Sequence, residues 1–256
     1  MAQGSSIEWT EMTWNPVTGC THISPGCDNC YADRMANRLK AMGTERYRNG
    51  FDLTLQPDMV ALPRKWKKGR TVFVNSMSDL FHKDVPAEYV GRVFKTMVET
   101  PRHQYQVLTK RAKRLKRLAP DLPWPENVWM GVSVEGPSYY HRVDALRDVP
   151  AAVRFLSVEP LLEAVPDLNL NGIDWVIVGG ESGPGARPMD AGWVREVREA
   201  CSEAGVAFFF KQWGGTNKKK AGRLLDGKTW DEMPEPVLRW TAQPTGGLAP
   251  GWCARL

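Results

Sequence analysis

The chain has 256 residues, room for one large domain or two small ones, and about 250 residues is also the usual size of a single β/α barrel. Apolar residues make up 42% and charged residues 25%, which excludes a disordered, collagen-like or disulfide-dense chain and leaves an ordinary globular fold. The net charge of +5 gathers in three basic clusters, Arg64 to Arg70, Lys110 to Arg117 and Asn217 to Arg223, while no apolar run approaches the roughly 18 residues of a membrane helix.

In chain order, short apolar runs alternate with stretches of helical period. Ile7 to Trp14 is followed by a cysteine-rich loop and by Tyr31 to Met42, where Met35, Leu39 and Met42 fall at helical spacing. Strand-like runs follow at 71–75, 104–108, 128–134, 153–158, 175–178 and 206–210. Helix-like segments at 87–99, 112–118, 138–146 and 192–204 lie between most of them, and 160–172 is loop-like. Strands apolar on both faces and joined by helices want a parallel sheet covered by those helices. The predicted fold is α/β, a partial (β/α)6 TIM-like barrel over residues 1–213; an open doubly wound sheet satisfies the same pattern. From 214 the pattern stops, and the Gly-, Pro- and Lys-rich segment 214–256 is expected to be an extension packing on or near the barrel. The start lacks the basic and apolar blocks of a signal peptide, so a cytoplasmic protein with no membrane partner is expected.

Polar or charged residues stand just past the strand-like runs: Ser76 and Asp79, Thr109 and Lys110, Glu135, Glu159, Glu181, and Lys211 with Gln212. The carboxyl ends of parallel strands share one rim, where α/β active sites are built. Any single polar strand end is an ordinary turn, but the repetition favours a shared mouth.

Three of the five cysteines, Cys20, Cys27 and Cys30, fall within eleven residues. An odd local count in a reducing compartment opposes a disulfide framework and points to metal. Pro25, Gly26 and Asn29 permit the tight turns that aim several sulfurs at one centre. Structural zinc needs a fourth protein ligand, which His22 could supply. A four-iron cluster held by three cysteines instead leaves one iron open to a small molecule. The position after the first strand, at the rim, favours the cluster. Cys201 reads as a buried small hydrophobe, and His82, His103 and His141 as surface or core.

The segments Trp14 to Ala32, Ser157 to Leu162, Gly179 to Met189, Lys211 to Gly214 and Leu225 to Pro234 together resemble a phage- and bacteria-encoded group of radical S-adenosylmethionine (SAM)-like proteins related to spore photoproduct lyase. This chain carries C-x6-C-x2-C where that superfamily usually has C-x3-C-x2-C. The resemblance implies that Cys20, Cys27 and Cys30 hold a [4Fe-4S] cluster and that SAM occupies its open iron, to be cleaved into methionine and a hydrogen-abstracting 5′-deoxyadenosyl radical. It implies SAM contacts from Ser76, Ser78, Asp79, Ser133, Glu135 and Glu159, with Lys110 meeting the carboxylate. Gly179 and Gly180 allow close backbone approach, Glu181 and Arg187 form an ion pair or touch ligand, and Cys253 is a candidate hydrogen donor. A flavodoxin or ferredoxin would deliver the electron, and a monomer is expected.

The substrate class rests on charge. Six cations in eight residues from Lys110 to Arg117 open a helix whose apolar stripe is Ala112, Leu115 and Leu118. Lys67, Lys68, Lys110, Arg111, Lys113, Arg114, Lys116, Arg117, Lys218 and Lys219 are the candidate phosphate contacts, with Trp66 and Trp213 stacking on bases. With the repair-enzyme resemblance these point to DNA carrying a UV-type lesion, extruded from the duplex. The competing expectations are a radical SAM enzyme for another nucleoside or a protein, and a zinc-stabilised nucleic-acid-binding protein without catalysis.

Overall fold

A computed structural model describes residues 4, 5 and 7–234 of the chain. Seven strands form one parallel sheet in chain order: β1 (Met12–Trp14), β2 (Thr71–Val74), β3 (Gln104–Thr109), β4 (Val128–Ser133), β5 (Arg154–Val158), β6 (Trp175–Gly179) and β7 (Ala207–Gln212). The helix α1 (Tyr31–Ala41) packs Ala32 and Ala36 against Met77, while α2 (Ala87–Glu99), α3 (Ala112–Leu118), α4 (Tyr140–Arg147) and α5 (Ala191–Ala204) bury residues in the main core on the outer face of the sheet. Among the described residues β1 and β7 do not pair, so this is an incomplete barrel, as expected. The seven strands fall on the seven strand-like runs of the sequence. The connection from β5 to β6 carries no helix, because Pro160, Pro166 and Gly172 interrupt it.

Alternation along the strands divides the sheet into two faces. Outward residues such as Val72, Val74, Tyr105, Val107, Met130, Val132, Leu156, Val176 and Phe208 join the helices in the main core. In α2 the residues Tyr89, Val90, Val93, Phe94 and Met97 recur at helical period and supply one side of it. Inward residues form a separate cluster of Trp9, Phe73, Trp129, Phe155, Trp175, Ile177 and Phe209, which plugs the lumen. The register places Phe73 beside Gln106, Gln106 beside Trp129, and Phe155 beside both Gly131 and Trp175. Gly131 has no Cβ because the Phe155 ring occupies that space.

The last described segment follows the β7 edge. Phe210 N–H donates to the Trp230 carbonyl, Trp175 Nε1 donates to the Glu232 carbonyl at 2.9 Å, and Leu225 is buried in the main core. No helix among the described residues is long and apolar enough to cross a membrane.

Candidate active site at the carboxyl rim

Carried past the apolar plug, the inward alternation ends on Asn75, Lys110, Glu135, Glu159, Gly179 and Lys211, so the lumen changes from aromatic to polar within one or two residues of each strand. The cysteine loop, residues 19–30, leaves β1 and lies over this rim. Gly19 begins it at φ 78, packed against the Asp52 carbonyl so closely that no side chain fits. Cys27 closes a 3-10 turn, Pro25–Cys27, and Cys30 caps α1.

Strand-end residues hold the loop down. Ser24 Oγ donates to Glu135 Oε1 at 2.7 Å, and Gly26 lies so close to the Glu135 side chain that a Cβ there would come within 2.6 Å of it. Asn29 Nδ2 donates to Glu181 at 2.9 Å, and Arg187 bridges Glu181 to the Pro25 carbonyl, the latter at 2.7 Å. Arg111 pairs with Asp79 at 2.9 Å and donates to the Thr21 carbonyl at 2.8 Å, beside Cys20. His82 Nε2 meets the Thr21 hydroxyl at 2.8 Å. Tyr31 donates its hydroxyl proton to the Ser76 carbonyl after β2.

Glu135 is the centre of this network. Its side chain is fully buried and takes Lys110 at 2.5 Å and Arg142 at 2.8 Å. Burial alone would raise its pKa, but Lys110 and Arg142 outweigh burial and hold the carboxyl below its ordinary range. Glu181 behaves alike: burial opposes ionisation, and hydrogen bonds from Arg187 prevail. Glu159 pairs with Lys211 at 2.8 Å in a space that a Cβ on Gly179 would invade, coming 2.5 Å from Glu159 Oε1.

Around the sulfurs the contacts are long, and the Arg111 guanidinium stands against Cys20. Cys20 Sγ has a 3.6 Å contact to the Thr21 carbonyl, and Cys27 Sγ lies 3.8 Å from Ser24 Oγ. Burial, with Asp79 adding, pushes Cys20 up to about 11, and burial also raises Cys30. Burial thus keeps both thiols protonated, and a metal group held here would have to displace those protons. Buried polar atoms without partners stand nearby on the sheet: both amide atoms of Asn75, and Oε1 of Gln212. Among the described residues no three His, Cys, Asp or Glu side chains converge on one ion, Cys20, Cys27 and Cys30 included, and His22 turns to Asp33 at 3.5 Å.

Several expected contacts are placed elsewhere. Ser78 Oγ is committed to the Val17 carbonyl at 2.8 Å, and the Ser76 hydroxyl faces the Asn15 amide at 3.2 Å. Ser133 is buried and its carbonyl accepts from Arg142 at 2.9 Å, while Gly180 lies against the Trp213 carbonyl. The block Lys110 to Arg117 is not one phosphate-tracking face. Lys110 and Arg111 turn into the rim network, and Arg114 donates to the His82 and Val85 carbonyls, which leaves Lys113, Lys116 and Arg117 exposed; Lys116 pairs with Asp148 at 2.6 Å. Lys67 and Lys68 line a cavity of about 450 Å³ with Trp66 and Met12, at the amino ends of β1 and β2 and so opposite the cysteine loop. Trp213 is no free stacking platform: its Nε1 donates to the Leu224 carbonyl at 2.8 Å and its ring meets Phe210. The side chains of Lys218 and Lys219, and Cys253, lie outside the described residues. Ser24, Asn29, Arg142 and His82 escaped the sequence reading as site residues; only the spacing of Ser24 and Asn29 within the cysteine loop signalled them.

Residues 4–234 match the family model described as "Protein of unknown function (DUF5131)". The chain belongs to that family. No curated protein matches this DUF5131 chain. Its fold is similar to spore photoproduct lyase complexed with dinucleoside spore photoproduct, with TM-score 0.51 and 14% identity over 78% of this chain and 63% of the other. A cysteine-to-serine mutant of that lyase gives TM-score 0.51 and 15% identity, covering 70% and 58%. A double mutant with bound AdoMet and dinucleoside spore photoproduct gives TM-score 0.50 and 12% identity, covering 78% and 63%. The DUF5131 chain thus spans 63% or less of these neighbours' length, and at such identities the likeness is one of fold.

Proposed function

We propose that the chain is a radical SAM enzyme in which Cys20, Cys27 and Cys30 hold a [4Fe-4S] cluster and SAM, and that it acts on DNA carrying a UV-type pyrimidine lesion. The observation that carries this reading is the roof of three weakly bonded cysteines, tied down at Ser24, Asn29, Thr21 and Tyr31 to strand ends around the lumen mouth. When bound, the cluster supplies an electron for SAM cleavage and so hydrogen-atom abstraction from substrate. The chain's own residues position and shield. Lys110 and Lys211 line the mouth, each held by a carboxylate of the chain, Glu135 and Glu159. The aromatic plug closes the lumen floor against water.

The fold likeness to a lyase solved with AdoMet and a dinucleoside photoproduct supports the substrate class. Cys253 is proposed as hydrogen donor and a flavodoxin or ferredoxin as electron source. Anaerobic reconstitution tests the reading: about four irons per chain, absorption near 400 nm and release of 5′-deoxyadenosine from SAM are expected. A cluster-loaded protein that forms no 5′-deoxyadenosine would overturn it. The Cys253→Ala chain should still cleave SAM but return less repaired product.

A further inference from the structure

The face that α1 turns to solvent carries an unusual set of side chains. Tyr31 and Met35 are 50% and 42% exposed, large for apolar residues, with the Tyr31 hydroxyl anchored on the Ser76 carbonyl and its ring half open. Between and beyond them stand Arg34 and Arg38, so positions i, i+3, i+4 and i+7 make one face. Across from it lie Ser182, Gly183 and Pro184, from the loop after β6, and Thr216, which with it border an open cleft of about 340 Å³. The helix starts at Cys30, so the cleft opens beside the cysteine loop.

Neither arginine is neutralised. Arg34 Nη2 donates to the amide oxygen of Asn29 at 3.0 Å, and Arg38 has no side-chain hydrogen bond or ion pair among the described residues. By contrast the cations of the block Lys110 to Arg117 that reach the rim are already held by Glu135 and Asp79. A cleft with free guanidinium groups and no carboxylate on its walls is complementary to an anion. Its apolar surface is one aromatic ring and one polarisable thioether, groups that pack against flat, uncharged rings. Arg34 and Arg38 are a helical turn apart, about 5.4 Å along the axis, as are Tyr31 and Met35, so cation and apolar group repeat together. Repeating negative charge with a planar ring at each repeat is the chemistry of a nucleic-acid strand with its bases unstacked.

We propose that this cleft is the entry track for a single nucleic-acid strand, with Arg34 and Arg38 on its phosphates and Tyr31 and Met35 against an extruded base. It names the binding surface for the substrate of the reading above and rests on that reading only for what happens next at the cysteine loop. Gly183 belongs to the cleft because a Cβ there would strike the Arg34 guanidinium.

The test is fluorescence anisotropy of the full chain with a labelled thymidine-rich single strand across a salt titration. Arg38→Gln should weaken binding about tenfold and lower the slope of log affinity against log salt by about 0.7, the value for one phosphate contact on a single strand. Tyr31→Ala should weaken binding about tenfold and leave the slope unchanged, since a ring releases no counterion. Lys113→Gln with Arg117→Gln on α3 serves as the control and should change affinity less than twofold. Unaltered affinity in both α1 variants, with unchanged melting temperatures, would overturn the proposal. So would a poly-glutamate peptide that displaces the strand and binds equally well to the Tyr31→Ala chain, which would make the cleft a site for an acidic protein. Wild-type 5′-deoxyadenosine formation, measured without nucleic acid, reports separately on the catalytic reading: its loss alongside arginine-dependent strand binding removes that reading and leaves the track.

Discussion

The floor and the rim of the lumen are built on the same strands, two residues apart on those of Phe73 and Phe209, four on that of Phe155 and six on that of Trp129. On the floor, Phe73, Trp129, Phe155, Trp175 and Phe209 meet at ring-centroid distances such as 5.6 Å for Phe155 and Trp175. At the rim the last inward positions of four strands, Lys110, Glu135, Glu159 and Lys211, are charged, and they pair between strands as Lys110 with Glu135 and Lys211 with Glu159. Burial stabilises the floor in every direction at once, because the hydrophobic effect is non-directional. At the rim each carboxylate is stable only while its cation stays in place. The fold can therefore be robust and the site fragile within one short barrel.

The largest effect should come from breaking that dependence at its most buried point. Glu135→Gln leaves Lys110 and Arg142 without a counter-charge, and removing one partner of a buried pair costs about 3–5 kcal/mol. The same change frees the cysteine loop by weakening the Ser24 bond, so iron uptake should fall along with the urea midpoint. The pH dependence has a definite sign. Glu135 titrates below its unfolded value, so its contribution is complete above the ordinary carboxylate range and is lost as pH falls through the folded value. Wild type should lose its advantage over Glu135→Gln in acid, as read from urea midpoints across the pH range; a constant gap would show that the carboxylate is not the source.

A pair of glycines sharpens the contrast. Gly131→Ala puts a methyl group into the Phe155 ring, which is fully buried and cannot retreat, so overpacking should cost about 1–3 kcal/mol. Gly179→Ala meets instead the end of the Glu159 carboxylate, which can swing away from Lys211. Its melting temperature should move little while SAM affinity drops. Equal thermal losses in the two variants would mean that the rim is packed as rigidly as the floor.

The alternation of apolar runs made the seven strands legible, and Gln104–Thr109 and Val128–Ser133 sit where their β-branched and aromatic residues indicate. The rim was legible too, since Glu135, Glu159 and Glu181 each follow such a run directly. Illegible was the direction in which long cations turn. Arg111 and Lys113 look alike in sequence, yet one lies against Asp79 and the other in water, because helix phase and the position of a carboxylate 32 residues earlier decide it. His82 reads as surface or core and is buried, and its contact with Thr21, 61 residues away, has no local signal in the sequence. Nor does local pattern mark Lys67 and Lys68 as lying at the far end of the barrel; that follows from their standing before β2 rather than after it.

The smallest effect concerns Asn75, which belongs to the rim by position and to the floor by burial. It is 3% exposed, adopts φ 62, and neither its Oδ1 nor its Nδ2 has a partner. Asparagine tolerates the left-handed region better than most residues, but an unsatisfied buried amide costs about 1–3 kcal/mol. If the side chain serves only the fold, Asn75→Gly should be neutral or destabilising, because glycine also loosens the unfolded chain. If it is held in reserve for a ligand, removing it relieves both the unpaired amide and the backbone strain, and the apo chain should gain up to about 1 kcal/mol. Equilibrium dialysis of SAM against the reconstituted variant then decides the matter: a more stable chain with weaker SAM binding assigns the amide to the site, and a more stable chain with unchanged binding takes Asn75 out of it.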